Sequence, residues 1–150
     1  LLTQTENNIF IQPSDLVAVK KDERYYNVLG ATRNNNRLAF EAENVTVADA
    51  IAKAGGLDGE LAEPSTVVVF RREQVSALEM MGVKLDGNDV SGPMPTVYRF
   101  NLADPTGMFL AQKMQLRNDD VIYVSRHSFN DVAKLLGALR DVLLIKLIND

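Results

Sequence analysis

The stretch Val45-Thr46-Val47-Ala48-Asp49-Ala50-Ile51-Ala52-Lys53-Ala54-Gly55-Gly56-Leu57 carries signals for both ends of one helix. Thr46 can cap the first turn. Asp49, three residues on, can reach back to the free N–H groups and meet the positive end of the helix. Gly55 and Gly56 can take the left-handed conformation that stops it. Val47, Ala50, Ile51 and Ala54 recur at i, i+3, i+4 and i+7, so the spacing predicts a short helix with one apolar face against a sheet.

The flanking residues supply that sheet. Tyr25-Tyr26-Asn27-Val28-Leu29-Gly30 has strand composition, Asn34-Asn35-Asn36 gives a turn, and Leu38-Ala39-Phe40 can return as a partner, leaving Arg33 to Arg37 at a hairpin tip. Thr66-Val67-Val68-Val69-Phe70-Arg71-Arg72 is expected as a buried strand, and Val97-Tyr98-Arg99-Phe100-Asn101 alternates like a half-exposed one. Between them, Gln74 to Met81 suits a short helix and Asp86 to Pro95 a long loop. Asp104-Pro105-Thr106-Gly107 suits a turn before Met108 to Gln115. Strand, hairpin, one covering helix and further strands make an α+β order, the β-grasp arrangement in outline.

A second pattern is a repeat. Asn8 to Val19 places Pro13-Ser14-Asp15 between two apolar runs, and Met114 to Val124 has the same form. Aligning Asp15 with Asp120 sets Leu16-Val17-Ala18-Val19 on Val121-Ile122-Tyr123-Val124. The expected organisation is the end of a preceding unit at 1–20, a β-grasp domain at 21–126 with an insertion at 73–96, and a terminal helix at 127–150. Leu1 to Thr5 lacks the features of a signal peptide, so the chain is expected to be a piece of a longer protein.

With 150 residues, 46% hydrophobic and 24% charged, the chain has the composition of a soluble globular domain. A net charge of -4 offers no basic field, which argues against nucleic acid as a partner. There is no cysteine, hence no disulfide or thiolate metal site.

Taken together, Val28-Leu29-Gly30, Thr46 to Ile51 leading to Ala54-Gly55-Gly56-Leu57, Phe70-Arg71, Val97 to Leu102 and Asn118-Asp119-Asp120-Val121-Ile122-Tyr123-Val124 resemble a soluble-ligand-binding β-grasp (SLBB) domain of the Wza-like outer-membrane polysaccharide export family. Tyr98-Arg99-Phe100, Asp104-Pro105 and Phe109-Leu110-Ala111-Gln112 resemble its capsule-export branch. The resemblance implies a component of the periplasm and outer membrane of a Gram-negative bacterium. Such a component forms a homo-oligomeric ring through which polysaccharide passes without covalent chemistry, and works with an inner-membrane co-polymerase or ABC exporter. The long stretch at 73–96 departs from the pattern, as does the lack of the family's polysaccharide-export domain and lipidated cysteine.

From Ser128 onward, Val132, Leu135, Leu136, Leu139, Val142, Leu143 and Leu147 share an apolar arc at 100° per residue, and Asn130, Asp131, Lys134 and Asp141 lie opposite. Lys134, Arg140, Asp141 and Lys146 interrupt any run that could span a bilayer alone. The pattern fits a core or interface helix. The resemblance implies a helix that enters the outer membrane as part of a ring, with Leu135, Leu139 and Leu143 toward lipid or neighbours and Asp131, Lys134 and Asp141 toward a lumen.

Little points to catalysis. His127 beside Ser125 and Ser128 is the only histidine, and a hydrolase built on it is a distant reading. Asp119 and Asp120 suit a turn before a strand. Asp86-Gly87-Asn88-Asp89 lacks the ligand spacing of a calcium loop. No metal site or cofactor motif is present, and no enzyme activity is expected. Tyr25, Tyr26, Arg71 and Tyr98 are candidate glycan contacts, with core or cross-strand pairing as the other role for the aromatics. The alternative to a ring channel is a monomeric β-grasp module that binds glycan or another soluble ligand.

Overall fold

The computed structural model describes residues 10–18, 24–83, 92–128 and 143–146. Strand β1 (Tyr25–Gly30) pairs antiparallel with β2 (Asn36–Ala39), forming the expected hairpin. Helix α1 (Val47–Lys53) follows with its capping box intact. The Asp49 N–H donates to Thr46 Oγ1 at 3.2 Å, and the Thr46 N–H donates to the Asp49 carboxylate at 3.0 Å. A cap of this kind is worth about 1 kcal/mol. Gly55 and Gly56 end the helix at φ +84° and +85°.

Then come β3 (Val67–Glu73), the short helix α2 (Val75–Met80), β4 (Met94–Phe100), α3 (Pro105–Lys113), β5 (Val121–Val124) and β6 (Leu143–Lys146). Among the described residues the sheet order is β2-β1-β5-β3-β4-β6. The pairs β1 with β5 and β4 with β6 are parallel, and the others are antiparallel. This is an α+β, β-grasp-like sheet. Its core joins Tyr26, Val28, Val67, Val69, Phe100, Ile122 and Val124 to Val47, Ala50 and Ile51 of α1 and to Ala54 at its C-terminal cap, the face the spacing predicted.

Three expectations change. First, two helices cover the sheet. The expected turn at Asp104 is the start of α3, where Asp104 caps the Thr106 N–H at 2.8 Å and Pro105 holds the first position. Gly107 inside the helix masks the pattern, and a Cβ there would stand 1.8 Å from the Asn101 carbonyl oxygen, so its absence lets α3 lie directly on the chain. Second, β4 begins at Met94 and is not half-exposed: Val97, Tyr98 and Phe100 are all buried, because the strand runs inside the sheet between β3 and β6.

Third, the helix expected over 127–150 does not run through Leu143–Lys146, which pair with Thr96–Arg99 as a strand. Leu143 therefore lies on a strand. A short apolar run fits either period, and pairing satisfies the open edge of β4. Asp131, Lys134, Leu135, Leu139 and Asp141 lie outside the described residues, as does the loop centred on Asp86-Gly87-Asn88-Asp89. Among the described residues no helix is long and apolar enough to cross a membrane.

The repeat seen in the sequence recurs in backbone geometry. In the Arg117–Asp120 turn, the Asp120 N–H donates to the Arg117 carbonyl at 3.2 Å, the Asp120 carboxylate takes the Arg117 N–H at 2.7 Å, and Asp119 has φ +66°. In the Gln12–Asp15 turn, the Asp15 N–H donates to the Gln12 carbonyl at 3.1 Å, the Asp15 carboxylate takes the Gln12 N–H at 2.7 Å, and Ser14 has φ +87°. The side chains after the two turns differ. Ile122 and Val124 enter the core, whereas Leu16 and Val17 are exposed.

Candidate functional site

Alternation along β3 sends Val67, Val69, Arg71 and Glu73 to the helix-covered face, so an apolar stripe ends in two charges. Beyond the core they meet four partners. Asp120, held by its turn at the start of β5, accepts a fork from Arg71: Nε at 2.9 Å and Nη2 at 2.6 Å. The same Nη2 donates to the Gln115 carbonyl at 2.8 Å. Tyr98, across from Val69 on β4, donates its hydroxyl to Glu73 Oε1 at 2.7 Å. Arg117 Nη1 donates to Glu73 Oε2 at 2.7 Å, and Arg71 Nη1 approaches Oε1 at 3.5 Å.

Two cations and two carboxylates thus balance in a buried cluster. The side chains of Arg71, Glu73 and Asp120 are 7%, 2% and 1% exposed, and only Arg117, at 61%, faces solvent. Burial alone would raise the Glu73 carboxyl. The hydrogen bonds from Tyr98 and Arg117 and the charges of Arg117 and Arg71 outweigh it and hold the group below the usual glutamate value. Burial first, and then the Glu73 carboxylate, push the Tyr98 phenol well above its ordinary range, so it remains a donor.

The Glu73 shift sets a pH dependence. A carboxyl depressed on folding contributes stability in full above its ordinary value of 4.5, and that contribution is lost as pH falls through the lower folded value. The urea midpoint of the wild type should therefore fall between pH 5 and pH 3 by more than that of Glu73→Gln. Equal slopes would remove Glu73 as a source of acid lability.

The cluster separates two clefts. One, of about 450 Å³, opens between α2 and α3 over Glu73 and Tyr98, with Met81, Leu110 and Met114 as apolar walls and Lys113 and Arg117 at its edge. The other, of about 480 Å³, lies at the same end of the sheet and is lined by Phe70, Arg72, Pro95, Val97 and Asn118 among others.

Of the candidate glycan contacts, the structure joins Arg71 and Tyr98, with the guanidinium carbon 5.7 Å from the ring centre, and leaves the tyrosines of β1 apart. Tyr26 is buried edge-on to Phe40, and its hydroxyl has no hydrogen-bond partner among the described residues. Tyr25 points to the opposite face under the Arg37 guanidinium, 4.4 Å from the ring centre. His127 is exposed, and it is its backbone N–H, not its imidazole, that bonds Ser125 Oγ, at 3.0 Å. Sequence reasoning passed over Glu73, Lys113 and Arg117. An acid closing the apolar run of β3 was the available signal, since a charge there demands a partner.

The fold now meets its relatives. The chain belongs to the SLBB domain family, whose model matches residues 24–124. It is 33% identical over 141 residues to the capsule polysaccharide export protein BexD of Haemophilus influenzae, covering 91% of this chain and 35% of that protein. It is also 30% identical to the Vi polysaccharide export protein VexA/TviF of Salmonella typhi, covering 91% of this chain and 36% of that protein. To the capsule polysaccharide export outer membrane protein CtrA of Neisseria meningitidis it is 28% identical, with the same coverage. The chain spans about a third of the length of the curated relatives it matches.

Proposed function

We propose that this chain is the closing SLBB domain of a subunit that exports capsular or exopolysaccharide across the periplasm and outer membrane of a Gram-negative bacterium. Similarity over 91% of the chain to proteins named for capsule and Vi polysaccharide export carries the reading. Subunits assemble head to tail into a ring, a geometry that closes on a lumen. The polymer passes through without covalent chemistry, delivered by an inner-membrane co-polymerase or ABC exporter.

Residues 1–20 then finish a preceding SLBB-like unit. The matched turns at Asp15 and Asp120 support this, as does the exposed apolar run of Phe10, Ile11, Leu16 and Val17, which asks for a cover. The terminal segment completes the proposal as the part that meets the membrane, through Leu135 and Leu139 outward and Asp131, Lys134 and Asp141 inward.

The test is the mass of the full-length protein in detergent, with and without Asn130 to Asp150, together with surface polysaccharide in cells lacking this domain. A ring that needs the terminal segment, and loss of surface polymer, are the expected results. A monomer in both forms would favour the single binding module, and unchanged surface polymer would end the export reading.

A further inference from the structure

We propose that the cleft between α2 and α3 is a subsite for sugars that carry a carboxylate, with Arg117 and Lys113 receiving the charge. The inference rests on the export reading and specifies the polymer chemistry this domain would recognise. The chain as a whole is acidic, at -4, yet this cleft is lined by Arg71, Lys113 and Arg117 against Glu73 alone. Asp120 neutralises Arg71 and Glu73 offsets Arg117, so Lys113 leaves one net positive charge at the cleft, opposite in sign to that of the chain and favourable to an anion.

The two edge cations differ in kind. Arg117 spends Nη1 on Glu73, which fixes the plane of the guanidinium, and its Nε and Nη2 have no partner among the described residues. That free edge is the fork that matches a carboxylate with two parallel hydrogen bonds. Lys113, in the last turn of α3, forms no ion pair among the described residues and adds a mobile point charge. Arg71 cannot serve, because its fork is already closed on Asp120.

The remaining walls suit a sugar ring. Met81, Leu110 and Met114 offer apolar surface to the C–H face of a pyranose, and the methionines adapt to its outline. The volume of about 450 Å³ falls within the ~300–1,000 Å³ typical of small-ligand sites. A neutral sugar would meet the same walls and could accept ordinary hydrogen bonds from the cations, without the charge-assisted fork that a carboxylate completes.

The experiment is a titration of the isotope-labelled chain with trigalacturonate and with maltotriose, read by NMR at the Lys113 and Arg117 amides and the Met81 and Met114 methyls. The acidic trimer should move these signals, and the neutral one should not. Arg117→Gln should weaken binding about tenfold, the scale of a charged hydrogen bond. Lys113→Gln should weaken it about two- to fivefold, and rising salt should weaken it further. Arg117→Gln disturbs Glu73 and needs a check of folding. Lys113→Gln lies outside the buried cluster, so unchanged binding in that variant overturns the assignment. No response to trigalacturonate, or an equal response to maltotriose, also overturns it. Failure of the export reading would look different: surface polysaccharide would persist in cells lacking the domain, whatever the chain does with trigalacturonate.

Discussion

Asp120→Ala should cost about 3–5 kcal/mol of folding stability, the range for removing one partner of a buried ion pair. The replaced carboxylate ends two hydrogen bonds from Arg71 and one from the Arg117 backbone, and its side chain is 1% exposed. What it leaves behind is worse than what it removes. Arg71 stays charged and buried, with the Gln115 carbonyl, a Glu73 oxygen at 3.5 Å and the Tyr98 ring as its remaining neighbours, and the turn that aims β5 loses one of its two internal bonds. Against a total stability of roughly 5–15 kcal/mol, such a loss brings the domain close to unfolding at 37 °C. Urea unfolding followed by circular dichroism measures it.

Removing both partners separates two explanations. If the cost comes from an uncompensated charge, Arg71→Met with Asp120→Leu should recover most of the stability, since apolar replacement of a buried pair is often neutral or better. If it comes from the turn, the double variant should stay as weak as Asp120→Ala. A single-variant loss under ~1 kcal/mol would put the pair in the class of solvent-screened surface bridges and sink the account.

How far the sequence foretold this depends on range. Helix α1 was legible because cap, apolar face and stop are local, all within Thr46 to Gly56. The hairpin was legible from its turn residues, and the two short matching runs share a turn geometry. The second covering helix was not, since Gly107 looks like a breaker until Asn101 is placed beneath it. The site was half visible. Arg71 and Tyr98 stood out as types, but the pairings Arg71 with Asp120 and Tyr98 with Glu73 join residues 49 and 25 positions apart, which only sheet register decides. Asp120 has the local signature of a turn residue, and it is one; its second role as the counter-ion of Arg71 has no local signature.

Gly30→Ala tests the other end of β1, where the motif Val28-Leu29-Gly30 meets the last strand. Gly30 has φ +94°, and a Cβ on it would stand 2.1 Å from the Val124 carbonyl oxygen and 3.1 Å from the Tyr123 ring. That oxygen cannot retreat, because it accepts the Ala31 N–H at 2.8 Å within the parallel pairing of β1 and β5. Two penalties therefore combine: about 1–2 kcal/mol for the left-handed backbone and about 1–3 kcal/mol for the overlap. Gly56→Ala separates them, since Gly56 has φ +85° with nothing within 4 Å of the added carbon. It should lose the backbone part alone, and Gly30→Ala should lose roughly 2–5 kcal/mol. Equal losses would mean that Val124 gives way and that the close approach of β1 to β5 is not what requires glycine. The consequence reaches α1 as well. Just past Gly30 the chain docks on the stop of that helix through Arg33 N–H to Gly56 and Asn34 N–H to Ala54, so displacing β1 should also unseat the helix that covers the core.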